Sequence, residues 1–152
     1  MFSIIIPTLN NLKYLKKCIE SIEKNSKYKH EIVPHVNIGS DGTAKYLESK
    51  KISFTYTKEN VGICKGMNMA VKNSYSEYIL YAHDDFYFCN HWDDVLINEV
   101  KKIKHNNFYL SGTMIGTSGK DSLDCGTNIY NFDENKLLEK FSFLNLGDFQ
   151  GS

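Results

Sequence analysis

Two hydrophobic periods take turns along the first two thirds of this chain, and that alternation narrows the folds open to it. Phe2–Ile6 is a short apolar run rich in β-branched residues, the pattern of a buried strand. Leu12, Leu15, Ile19 and Ile22 then recur at helical steps, so the spacing predicts an amphipathic helix over 11–25. The same exchange repeats. A strand is expected over 31–38, a turn at Gly39-Ser40-Asp41-Gly42, a short helix over 43–49 and a strand over 52–57. Ile63, Met67, Ala70 and Val71 mark a helix whose Met67 and Val71 would face the core. A strand over 78–82, a helix marked by Trp92, Leu96, Val100 and Ile103, and a strand over 108–114 follow. Pro34 interrupts the second strand because it has no N–H for a ladder, so that strand is expected to begin at about His35. Strand–helix order of this kind predicts an α/β fold. Its centre would be a mostly parallel, Rossmann-like sheet with helices on both faces. Ligands of such sheets bind beyond the carboxyl ends of the strands. The informative positions are therefore 7–10, 37–42, 58–62 and 83–90.

Composition excludes several classes of function. At 152 residues the chain has the size of one domain, and a chain that long buries roughly 70% of its unfolded surface. Eighteen acidic residues balance eighteen basic ones, all of them Lys. A dedicated nucleic-acid binder would carry a basic excess and the Arg forks that grip phosphate and guanine. No run of 18 apolar residues encodes a transmembrane segment. The N-terminus has no basic region and meets Pro7 too early for a signal peptide. Cys18, Cys64, Cys89 and Cys125 form no C-x-x-C pair, which suits reduced thiols in the cytoplasm. The sequence also has no P-loop, no G-x-G-x-x-G after the first strand and no G-x-S-x-G elbow.

Four clusters at the strand ends carry chemistry. His83-Asp84-Asp85 follows an apolar strand, where adjacent carboxylates are costly if buried unpaired. Oxygen donors of this kind suit Mg²⁺ or Mn²⁺, and the competing reading is a helix cap. Ile6-Pro7-Thr8-Leu9-Asn10 ends the first strand with side-chain hydrogen-bonding groups, although Asn10 or Asn11 could simply cap the first helix. Val36-Asn37-Ile38-Gly39-Ser40-Asp41-Gly42-Thr43 combines a tight turn with a helix cap. In Glu59-Asn60-Val61-Gly62, Lys65 and Asn68, the last two share a helix face. That face suits phosphate or base contacts at a helix N-terminus, or else is plain solvated surface.

The order of these clusters resembles the nucleotide-sugar-binding portion of family 2 glycosyltransferases, which have the GT-A fold. FSIIIPTLNN resembles the family's opening strand and nucleotide loop. VNIGSDGT resembles V-D-D-G-S-x-D-G-T with one residue deleted. ENVGICKGMN resembles E-N-x-G-x-x-x-x-x-N, and HDDFYFCNHWDDVL resembles the acidic motif and the "pgW" segment after it. The resemblance is good over residues 2–113 and loose over 114–152. It implies a single GT-A domain, with 1–113 as the nucleotide-sugar core and 114–152 as the start of an acceptor-side region that is cut short.

By that resemblance, Pro7, Thr8 and Asn10 line the nucleotide site. Asn37 meets the base, at the position where the family's Asp pairs with the N3–H of uracil. Asn60, Gly62, Lys65 and Asn68 border the nucleotide or donor sugar, with His83 beside them. The family's D-x-D aligns with Ala82-His83-Asp84, so the first Asp is replaced. Asp84 becomes the main ligand of Mn²⁺ or Mg²⁺, with Asp85 close by. The implied reaction is inverting transfer from a UDP-, GDP- or dTDP-sugar to the hydroxyl of a glycan, lipid-linked or protein acceptor. The catalytic base is expected beyond Ser152, and Asp148 is the candidate within the chain. The loss of the first Asp motivates an alternative, a nucleotide-sugar-binding or scaffold module without transfer activity.

Overall fold

The computed structural model describes residues 1–112, 116 and 123–142. The chain divides into two compact units, Met1–Ile97 and Asn98–Ser152. Its elements run β1 (Phe2–Leu9), α1 (Leu12–Asn25), β2 (Glu31–Asn37), α2 (Thr43–Ser49), β3 (Thr55–Thr57), α3 (Gly62–Val71), β4 (Tyr78–Tyr81), α4 (Trp92–Lys102) and α5 (Glu134–Ser142). The four strands form one sheet in the order β3-β2-β1-β4. Every pairing is parallel, with Ile5 opposite Val33 on one side and Tyr81 on the other.

Residue alternation along β1 explains how the sheet acquires helices on both faces. Phe2, Ile4 and Ile6 join Leu15, Cys18, Ile19 and Ile22 of α1 and Leu47 of α2 in the larger core cluster, with Trp92, Leu96 and Ile97 of α4 packed against it. Ile5, from the other face, packs with Val33, Ala70, Met67 and Val71. A strand presents alternate side chains to opposite faces, so a run apolar at both sets of positions has to be covered twice. Leu15, Ile19 and Ile22 lie on one stripe of α1 and are 0%, 0% and 2% exposed. Truncating Ile19 to Ala would cost about 2–5 kcal/mol, the range for emptying such a site.

The structure corrects the strand expectations in three places. β2 runs through Pro34 in unbroken register, with Pro34 opposite Ile6. Ile38 N–H donates to Thr57 C=O, and alternate residues of a strand aim at the same neighbour. Pro34 therefore aims toward β3, below the level at which β3 begins opposite His35, and no ladder bond is lost. β3 is also shorter than 52–57, because Ile52 N–H is spent on Leu47 C=O at the end of α2. Residues 108–112 form no strand, and Tyr109 is 92% exposed. A β-prone run becomes a strand only where a neighbour pairs with it, and among the described residues none does. Residues 113 and 114 of that expected strand lie outside the described residues. Ile63, one of the residues that marked α3, is exposed.

The second unit holds α5, which periodicity did not single out. Asp133 starts it by accepting Lys136 N–H at 2.9 Å, an ordinary cap that Asp-Glu-Asn-Lys could have signalled.

Candidate functional site

The strand order creates one special place. From β1 the chain moves to β2 and β3 on one side and returns to β4 on the other. The carboxyl ends of β1 and β4 therefore flank the topological switch point, where a crevice opens in sheets of this kind. Thr8, near the end of β1, and Asn11, just after it, reach this place, and His83, Asp84 and Asp85 follow β4.

Asp84 follows β4 at this switch point. Asn11 Nδ2 donates to its Oδ1 at 3.0 Å across 73 residues of sequence. Burial pushes the Asp84 carboxyl above its ordinary value. Thr8 and Asn11 pull it down again, Asp85 adds repulsion and His83 relieves some of it. The Thr8 hydroxyl is close enough to favour the carboxylate, yet among the described residues its buried oxygen has no partner at hydrogen-bonding geometry. Asp85 is exposed. The His83 ring has Nε2 2.9 Å from Tyr81 Oη and lies 5.1 Å from the Phe86 ring, tilted against it.

The acidic loop is fixed from below by a polar row on the buried side of α1. Cys18 Sγ contacts His83 C=O at 3.6 Å, Ser21 Oγ accepts Phe88 N–H at 3.0 Å, and Asn25 Nδ2 donates to Phe88 C=O at 2.6 Å. Burial, with Asp84 and Asp85 nearby, pushes the Cys18 thiol up to about 12, so it stays protonated and inert. Sequence reasoning read this face of α1 as apolar and missed the row, whose signal is the three-, four- and seven-residue spacing of Cys18, Ser21 and Asn25.

A second group gathers where β1 and β2 end. Both chains leave their strands with positive φ, Asn10 at 48° and Ile38 at 65°. For a β-branched residue such as Ile38 this is real strain, of order 1–3 kcal/mol, and strain of that kind clusters at ligand sites. Asn10 Oδ1 accepts Ser40 N–H and Oγ–H at 2.9 and 3.2 Å, so Asn10 ties the two loops together. Asp41, outside the expected set of site residues, caps two helices at once. Its Oδ2 accepts Leu12 N–H of α1 at 2.8 Å, and its Oδ1 accepts Thr43 N–H and Oγ1–H of α2. Neither Asn10 nor Asn11 supplies the side-chain cap of α1.

Asn37 closes β2 and is 4% exposed. Its Oδ1 accepts Val61 N–H at 2.9 Å, which seats the 58–61 loop. Asn60 Oδ1 accepts Gly62 N–H at 3.0 Å at the start of α3, and Gly62 has φ +78°. Lys65 and Asn68 are both exposed on α3, while Pro7 is buried at the end of β1. Six of the eleven expected residues thus fall into two groups along one edge of the sheet. Thr8, Asp84 and Asp85 are at the crevice, and Asn10, Asn37 and Asn60 brace the neighbouring loops. Asp148 lies outside the described residues.

The donor set fits a hard divalent cation. It offers two carboxylates and a hydroxyl, all oxygen, and burial has already raised the energy of the Asp84 charge that a cation would offset. No group of three His, Cys, Asp or Glu that could hold a metal occurs among the described residues. Protein ligands alone would not complete a coordination shell, which matches Mg²⁺-type sites that share one or two carboxylates with substrate phosphates.

Comparison with known proteins places this arrangement. An uncharacterized glycosyltransferase of Rickettsia bellii is 30% identical over 130 residues, covering 79% of this chain and 18% of the relative. One from Rickettsia conorii is 31% identical over 107 residues, covering 63% and 17%. The chain thus spans under a fifth of the length of these relatives. Among solved structures, Staphylococcus aureus TarS 1–349 in complex with UDP superimposes with a TM-score of 0.61 at 23% identity, over 66% of this chain and 32% of that one. The mannosyltransferase PcManGT from Pyrobaculum calidifontis, in complex with GDP-Man and Mn²⁺, gives 0.55 at 21% identity, over 66% and 31%. These likenesses show the fold, which is GT-A. The family profile described as glycosyl transferase family 2 matches residues 3–150, nearly the whole chain. With the parallel sheet, the acidic loop at its switch point and the profile in agreement, the chain belongs to glycosyl transferase family 2.

Proposed function

We propose that the chain binds a nucleoside-diphosphate sugar along the carboxyl edge of its sheet and serves its transfer to an acceptor hydroxyl. The observation that carries this reading is Asp84, raised by burial and aimed by Asn11 at the crevice between β1 and β4. Asp84 and Asp85 would hold Mn²⁺ or Mg²⁺, with the Thr8 hydroxyl beside them. A cation there supplies positive charge to the diphosphate beyond what Lys65 offers, in a sequence that has no Arg. Pro7, Thr8 and Asn10 form the floor under the nucleotide and Asn37 meets the base. Asn60, Gly62, Lys65, Asn68 and His83 border the diphosphate and sugar.

The reaction in this reading is an inverting displacement. The acceptor oxygen bonds to the anomeric carbon from the face opposite the diphosphate. The bond from that carbon to the diphosphate oxygen breaks, and the acceptor proton passes to a base. A glycan, lipid-linked or protein hydroxyl would serve as acceptor. The cytoplasm as its setting is supported by four cysteines that are all free thiols.

Calorimetric titration with UDP, GDP, dTDP, CDP and ADP, with and without Mn²⁺, tests the reading. Binding of at least one nucleotide, tighter with Mn²⁺, is the expected result, and silence from all five would remove it.

One observation favours a second reading, binding without transfer. Ala82, where the first Asp of the acidic motif would stand, is 0% exposed and packed in the core, so it adds no ligand. Release of sugar from a bound donor, or its transfer, would exclude this alternative.

A further inference from the structure

Asn37 is held in one orientation. Val61 N–H, at 2.9 Å, requires an acceptor, so the side-chain oxygen and not the nitrogen must face it. The Thr57 hydroxyl, 3.4 Å from the same oxygen, and His35 beneath it close the rest of that side. His35 is itself fixed, fully buried with Nδ1 2.8 Å from Thr55 Oγ1 and Nε2 3.3 Å from Thr57 Oγ1. The Asn37 amide nitrogen is therefore turned the other way. Among the described residues it has no hydrogen-bond partner. Among the described residues the buried side-chain atoms left without one are Thr8 Oγ1, Tyr46 Oη and Ser76 Oγ, so Asn37 Nδ2 keeps access to solvent.

The position of this nitrogen matters as much as its direction. β2, β1 and β4 are consecutive neighbours, so the ends of β2 and β4 lie two strand spacings apart, about 10 Å. A nucleotide whose diphosphate sits at Asp84 and which extends along the sheet edge brings its base over the end of β2. There it meets a fixed N–H donor. A carboxylate in the same place would keep Val61 N–H on one oxygen and offer a second acceptor. Asn37 presents the opposite polarity on the same shape.

We propose that Asn37 selects a base with a bare ring nitrogen at its pairing edge, as in cytosine or adenine, and disfavours the ring N–H of uracil, thymine and guanine. This rests on the donor reading above. A donor facing a donor leaves two polar groups unpaired, and that mismatch weakens binding by roughly tenfold or more.

Competitive titration of the intact chain at fixed Mn²⁺ with CDP, ADP, UDP, dTDP and GDP decides the matter. The expected result is CDP or ADP binding at least about tenfold tighter than the other three. The CDP and ADP arms separate a pyrimidine pocket from a purine one. Asn37→Asp, checked for an unchanged melting transition, should move the preference toward UDP, dTDP or GDP. Equal or tighter binding of UDP, dTDP or GDP by the unsubstituted chain overturns the inference and leaves the donor reading standing. Should none of the five bind, the donor reading falls and this inference with it. The ranking by the unsubstituted chain is sufficient even if the variant fails to fold.

Discussion

Asn11 and Asp84 meet across the topological switch point, amide to carboxylate at 3.0 Å, although 73 residues separate them. The bond fixes which carboxylate oxygen is left for a ligand. Asn11→Ala should weaken Mn²⁺-dependent nucleotide binding about tenfold, the usual effect of losing a hydrogen bond to a charged group. The melting temperature should barely change, because Asn11 is only half-buried and closes no core contact. Titration of both forms with the same nucleotide measures the difference. Unchanged affinity would mean that Asn11 does not orient Asp84.

Asp84 makes the opposite exchange of stability for binding. Burial raises its carboxyl above the ordinary value, so at neutral pH the folded chain carries a charge that its surroundings disfavour. Asp84→Asn keeps the shape and the acceptor for Asn11 while removing that charge. The variant should melt at a higher temperature than the parent in metal-free buffer and lose the rise in melting temperature that Mn²⁺ gives. A lower melting temperature for the variant would refute the assignment of strain to this carboxylate.

Asp41 sets a different pH dependence. Burial tends to raise its carboxyl, but bonds from Thr43 Oγ1, Leu12 N–H and Thr43 N–H outweigh that and hold it below the ordinary 3.8. The folded chain thus takes up this proton less readily than the unfolded chain. The stabilisation is complete above 3.8 and is lost as pH falls through the lower folded-state value. Asp41→Ala uncaps α1 and α2 together and should cost about 1–3 kcal/mol at pH 7. Part of that difference from the parent should vanish in acid, read from urea unfolding at pH 7 and pH 3.

Asp93 holds the segment between α1 and β2. Its carboxylate, 0% exposed, accepts Lys27 N–H at 3.0 Å, Tyr28 N–H at 2.8 Å and His30 Nε2–H at 2.9 Å. Phe2 N–H donates to His30 Nδ1, which leaves the ring proton on Nε2. Asp93→Ala leaves the buried His30 ring N–H and the Lys27 and Tyr28 N–H groups without their acceptor and should cost about 1–3 kcal/mol in urea unfolding. Nitrogen shifts of His30 should report the Nε2–H form, and the Nδ1–H form would contradict the assignment.

The parallel sheet and its two helix layers were legible because Phe2–Ile6, Leu15, Ile19 and Ile22 state their burial through period alone, whereas the strand order was not. Asp84 and Asn37 were legible by position, at strand ends where a parallel sheet binds its ligands. Their partners were not. Nothing local in Asn10-Asn11 says that the first braces Ser40 and the second reaches Asp84, because that choice is made by a backbone with φ 48° at Asn10. Pro34 misled for a related reason. Its missing N–H matters only if a neighbour stands opposite, and where β3 begins depends on Ile52 joining the end of α2.

Gly66 links the core to the seat of Asn37. A Cβ there would lie 2.5 Å from His35 Cδ2 and 3.1 Å from Cγ, so the ring would have to move. His35 has nowhere to go, fully buried between Thr55 and Thr57. Overfilling such a place costs about 1–3 kcal/mol, and the better helix propensity of Ala returns up to about 1 kcal/mol of that. Gly66→Ala should therefore lower the melting temperature by a few degrees, on the scale of about 2–4 °C per kcal/mol for a domain of this size. Displacement of His35 also shifts Thr57 and the seat of Asn37, so nucleotide affinity should fall in the same variant although Gly66 touches no ligand. A variant that melts and binds as the parent does would show that the ring can yield, and that Asn37 is not held in place through His35.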